Sequence, residues 1–173
     1  MAIIFDIFSI KRLARKLASD EVQGRHAAVF LVVGNVLYIL FSNIAVYIFG
    51  IRGSQYVEAA IADATIAALI TVFGVRACYK AYSGSNFIQA FIVLSVPALV
   101  YGTFLSWVIH LGLRYAVGWY GKAVIFTTEE AANASMANAY KVLEGGAMFA
   151  AAAGLLSFYY LVRVGLKIAG NTK

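Results

Sequence analysis

Between Phe87 and Leu111 the chain runs through twenty-five residues without one Asp, Glu, Lys or Arg. A second uncharged run extends from Ala27 to Phe49. About 20 apolar residues suffice to cross some 30 Å of hydrocarbon. Backbone N–H and C=O groups find no water there, so only helices and closed barrels are viable in that setting. Barrel strands alternate polar and apolar residues, and these runs do not. The sequence therefore predicts an all-α, polytopic membrane protein. Composition agrees: 62% of the 173 residues are hydrophobic and 13% are charged, too few charges to cover a soluble domain.

Four spans are expected, at about Ala27–Phe49, Val57–Val75, Phe87–Leu111 and Gly145–Val162. GIRGS (50–54) and SGSN (83–86) read as short turns. Pro97 lies inside the third span, where its missing N–H loosens a turn. The only long connection, 112–144, begins with the aromatic stretch RYAVGWYGKAVIF, suited to a membrane–water interface. It continues at TTEE, where Thr127 and Glu130 fit a capping box. The expected organisation is an interfacial helix over 1–24, followed by a four-helix transmembrane bundle over 25–173 with an external segment at 112–144.

Residues 1–24 lack the order of a signal peptide, because the basic residues follow the apolar stretch. On a helix, Ile3, Ile7, Ile10, Ala14 and Leu17 form one stripe, and Lys11, Arg12, Arg15 and Lys16 lie off it. This predicts a helix in the membrane surface, cations toward lipid headgroups. The same stripe also suits packing on the rest of the protein or on a partner.

The net charge of +6 points here to lipid and topology, and no direct nucleic-acid binding is expected. With both termini inside, ten Lys and Arg residues fall on the inner side, and Arg52, Arg114, Lys122 and Lys141 fall outside. That excess predicts a multi-pass inner-membrane protein with cytoplasmic termini.

The second span carries a carboxylate within it, Asp63. Such a group costs at least about 2.5 kcal/mol to insert, so it faces protein or water or reaches up to the interface. His110 and Asn43 fall at the same outer level, and the three are a candidate polar cluster, able to pass protons or simply to satisfy one another. His26 and His110 sit at opposite ends of their spans, which rules out their jointly holding a haem. The single cysteine, Cys78, allows neither an intramolecular disulfide nor a metal site built from several thiolates. With no phosphate loop, nucleophile elbow or zinc-protease motif, no catalytic residue, metal or cofactor is expected. Asn133-Ala134-Ser135 is a glycosylation sequon by pattern alone.

Two ladders of small residues stand out: Ala60, Ala64 and Ala68 in the second span, and Gly146, Ala150 and Gly154 in the fourth. Small side chains let helices approach where lipid supplies no hydrophobic drive. The ladders serve packing within the chain or contact with other membrane subunits or copies of itself.

The stretch NAYKVLEGGAMFAAAAGLLSFYYLVRVGLKIAG resembles the Gly/Ala-rich spans of small membrane subunits in conjugative transfer and type IV secretion systems, where a Gly-rich helix ends in basic residues, here Arg163 and Lys167. Four spans and an amphipathic N-terminus depart from the two-span pilin pattern. The ladders, the surface helix and the lack of catalytic motifs predict a non-enzymatic structural or assembly subunit of a multiprotein membrane complex, and the resemblance supplies its context, a conjugative DNA-transfer or secretion apparatus. The alternatives from the residues are a small transporter or proton-conducting subunit using Asp63 and His110, and, third, a membrane enzyme acting on lipid.

Overall fold

The computed structural model describes residues 9–19, 21–22, 24–47, 57–84, 86–123 and 129–170; the side chains of some helical positions, Asn43 and Glu144 among them, lie outside that description. It contains five helices: α1 (Ile10–Ala18), α2 (Gly24–Tyr47), α3 (Val57–Ala81), α4 (Phe87–Ala123) and α5 (Glu129–Gly170). No strand occurs among the described residues. Three stretches are long and apolar enough to cross a membrane: Ala60–Ala81, Phe87–Trp119 and Lys141–Gly170. A shorter apolar stretch, His26–Phe41, lies in α2.

Helices α4 and α5 form the spine, an antiparallel hairpin. Its register is given by three close approaches: Leu94 to Gly165, Gly102 to Gly154 and Leu113 to Gly146. At the middle one, a Cβ on Gly154 would lie 2.7 Å from the Gly102 carbonyl oxygen, and one on Gly102 would lie 2.7 Å from that of Gly154. Backbone meets backbone there, as small residues permit. The hairpin is longer than a bilayer is thick. By helical rise, the 37 residues of α4 reach about 55 Å and the 42 of α5 about 63 Å. In the segment 112–144, α5 begins at Glu129 and runs into the fourth span, as the helix start expected at TTEE requires, while α4 also runs on to Ala123. The capping-box residue Thr127 lies outside the described residues. Helix α4 continues through Pro97, which is buried.

Helix α2 packs chiefly on α4, and α3 chiefly on α5. Phe41 meets Trp107 edge-to-face at 5.4 Å, Val96 lies against Gly34, and the Gln89 side-chain amide donates to the Val22 carbonyl, so α2 runs parallel to α4. The Tyr159 ring lies over Gly74, and Cys78 Sγ donates to the Tyr159 carbonyl at 3.6 Å. Ser83 Oγ donates to the Gly170 carbonyl at 2.9 Å, bringing the end of α3 beside the end of α5. The long helices thus lie in the order α2, α4, α5, α3. The expected bundle does not close, because α2 and α3 share no packed face.

Helix α1 rests across α4 and α5 near one end of this row. Leu13 and Ala14 are fully buried and Ile10 nearly so, with Leu17 packed beside them. The fit depends on Gly165, whose missing side chain leaves the place that Ile10 Cγ2 and Leu94 occupy. Arg15 and Lys16 close the last turn, where cations suit the helix dipole. The apolar stripe expected to face lipid therefore faces protein from Ile10 onward; Ile3 and Ile7 lie outside the described residues. From Leu94, beneath α1, to Tyr115, which is 79% exposed, α4 rises about 31 Å, close to the thickness of a hydrocarbon layer. Trp119, also exposed, lies one turn further on.

Candidate functional site

The expected sites separate into a ladder used inside the chain, a ladder left outside it, a polar level and a basic end.

The α5 ladder is used inside. Gly154 faces Gly102 and Ser106 of α4, Gly146 faces Leu113 of α4, and Ala150 is buried. Its partner is a ladder that the sequence reading missed: Ala98, Gly102 and Ser106, spaced by four along one side of α4, with His110 the next member. Its members are spaced by four, but a single glycine among large residues does not mark a contact until α4 is set against α5. Membership of this stripe accounts for the burial of His110, which is 8% exposed. By the hairpin register it lies opposite the 146–150 stretch of α5.

The α3 ladder is outside. Ala60, Ala64 and Ala68 are all exposed. Ala64 and Ala68, with Ile61, Thr65, Leu69 and Phe73, border a shallow apolar groove of about 520 Å³. Only 6% of the Ala60–Ala81 span is buried within the chain, against 33% of the α4 span.

The polar residues share a level without forming one contact group. Asp63 is half-buried on α3. Gly74 sits at Tyr159 and α3 runs parallel to α5, so eleven residues back along both helices Asp63 falls beside Met148. His110 is at that level on α4. Asn43 follows Phe41 by two residues, which puts its backbone near the level of Ile109. Asn43 and His110 thus belong to packed neighbours, α2 and α4, while α5 stands between His110 and Asp63. No group of three or more His, Cys, Asp and Glu side chains occurs among the described residues.

The basic end gathers cations from three helices. Lys11, Arg12 and Arg15 of α1, Arg76 and Lys80 of α3, and Arg163 and Lys167 of α5 are all exposed there, and Lys16 is partly so. The exposed Glu21 is the acid described nearby, and its Oε1 accepts a hydrogen bond from Ser19 Oγ at 2.8 Å.

No protein-family model matches the chain, and no curated protein or solved structure matches it either.

Proposed function

We propose that this protein is a non-enzymatic structural subunit of a multiprotein membrane assembly, crossing the inner membrane four times with α2 as the fourth span and both termini in the cytoplasm. The observation that carries the reading is the exposed face of α3. One small-residue ladder is spent on the α4–α5 hairpin, and the other, Ala60–Ala64–Ala68, is exposed, with no packing partner among the described residues. Lipid needs no such ladder, whereas a second helix approaching closely does. The open order α2, α4, α5, α3 leaves a helix with a single main neighbour at each edge. A conjugative or secretion apparatus is the proposed setting, on the resemblance of the α5 segment; neighbouring genes for a secretion ATPase or relaxase would support it.

The test is a single cysteine at Ala64 with Cys78 replaced by serine. Cross-linking in native membranes should give a defined adduct, either a dimer of this chain or a heterodimer with a subunit of the same complex. Ala64→Leu should leave abundance unchanged and abolish the complex. A monomer that gives no adduct and keeps full activity after Ala64→Leu removes the proposal.

A second reading, a proton- or ion-conducting subunit, is favoured by one observation: a buried imidazole and a half-buried carboxylate share one level within the spans. Asp63→Asn should then lower flux into vesicles by about tenfold or more at equal protein level, since an intramembrane carboxylate that conducts cannot lose its charge unnoticed. Unchanged flux together with tolerance of Asp63→Leu makes Asp63 an interfacial bystander.

A further inference from the structure

The α3–α5 seam opens into a groove of about 390 Å³, distinct from the ladder face although both touch Leu69 and Phe73. Its walls are apolar: Leu69, Phe73 and Ala77 from α3, Leu156 and Tyr160 from α5. Tyr159, packed on Gly74, makes the floor. One charged residue lines it, Arg163, at the end that leads to the basic face.

The helical stripes that form the walls continue past the groove as cations. On α5, Leu156, Tyr160 and Arg163 are followed four residues later by Lys167. On α3, Phe73 and Ala77 are followed three residues later by Lys80. Residues three and four apart share a helix face, so Arg163, Lys167 and Lys80 cluster at the mouth of the groove. All three are exposed. Neither helix has an acidic residue on this stretch: none follows Asp63 in α3, and none follows Glu144 in α5. The depth is also suitable. Arg163 is two residues from Gly165, the level at which α1 crosses and about 30 Å of helical rise from Gly145.

We propose that this groove is a binding site for one acidic glycerophospholipid, with an acyl chain along Phe73 and Leu156 and the phosphate held by Arg163, Lys167 and Lys80. Three observations favour this occupant over bulk lipid or a helix. Apolar walls match a hydrocarbon chain. The guanidinium offers a paired-donor fork to phosphate oxygens, and the two ammonium groups supply further charge. No carboxylate lines the groove, and α3 and α5 carry none along this stretch to receive the ammonium of a choline or ethanolamine headgroup, so a zwitterionic lipid brings a positive charge to an already positive mouth. Basic pockets between spans recognise acidic headgroups on this principle.

The test uses the full chain in detergent, with native mass spectrometry and titration of phosphatidylglycerol or phosphatidylcholine. One phosphatidylglycerol should be retained per chain, with affinity at least about tenfold above phosphatidylcholine. Replacing Arg163, Lys167 and Lys80 together by Gln should remove that preference. Replacing Lys11 and Arg15 by Gln, an equally exposed pair on α1, should change it less than the triple replacement does, because neither residue lines the groove. Ala77→Phe, which fills the groove and keeps every cation, should also lose the bound lipid. Equal retention of the two lipids overturns the proposal. So does a loss in the α1 pair as large as in the triple variant, which would make the preference a property of the whole basic face. If Ala77→Phe does not fold, the comparison of the two charge variants decides alone. A dimer that excludes lipid from the groove also overturns it.

Discussion

At the residue scale the hairpin is held to close tolerances at one point. A Cβ at position 154 meets the Gly102 carbonyl oxygen at 2.7 Å and Ser106 Cβ at 2.9 Å, and a backbone atom cannot swing aside as a side chain can. Gly154→Ala should therefore cost about 1–3 kcal/mol, the range for overpacking. Gly102→Ala should cost about the same. The double variant should cost less than the sum, because one separation of the helices relieves both clashes. Gly145 is the control: nothing lies within 4 Å of its Cβ position. Gly145→Ala should be neutral or stabilise by up to about 1 kcal/mol. Reversible unfolding in mixed detergent measures all four. A Gly154→Ala midpoint equal to that of Gly145→Ala would mean that the helices do not cross there. The residue types and spacing of the α5 ladder could be read from the sequence, but its partner could not. Nothing local distinguishes Gly102 from a lone glycine until α4 and α5 are set in register.

At the scale of elements, α1 shows why amphipathicity does not name its counterpart. An apolar stripe beside four cations satisfies a lipid surface and a protein groove equally well. What decides is a property of another helix, the notch at Gly165 some 150 residues away in sequence. Leu13 is fully buried in that contact. Leu13→Asp would bury a charge without a partner and should release α1. Trypsin should then cut after Lys11, Arg12 or Arg15 at least about tenfold faster than in the parent, since cleavage follows the population of the open form. Lys11→Gln should leave the surviving sites as slow as before, because Lys11 is exposed and outside the contact. Equal rates in the parent and in Leu13→Asp would show that α1 is not held by this face. Helix α3 is the contrasting element. Its ladder has the same four-residue spacing in sequence as that of α5, yet it has no counterpart among the described residues.

At the scale of the molecule, the contact of α1 with Gly165 brings the N-terminal helix and the end of α5 to one side of the row. The Lys and Arg excess falls on that same end, which is the arrangement of a cytoplasmic face. Reporters fused at Lys173 and inserted after Lys122 should accordingly report opposite sides of the membrane, the first cytoplasmic. The same side for both removes the four-span topology.

The sequence by itself determined that this chain is helical, that it has apolar helices long enough to span a bilayer, and that its cations gather where the helices end. Those are local properties: hydrophobic length, hydrogen-bond satisfaction and charge position are set residue by residue along one helix. Which helices touch was decided only by the tertiary structure. Packing among spans depends on small differences in shape between surfaces of the same apolar chemistry, and such differences leave little trace in any one segment. So the pairing of Gly154 with Gly102, the seating of Ile10 at Gly165, the placing of α5 between Asp63 and His110, and the outward turn of Ala60, Ala64 and Ala68 all waited on the arrangement of α4 and α5.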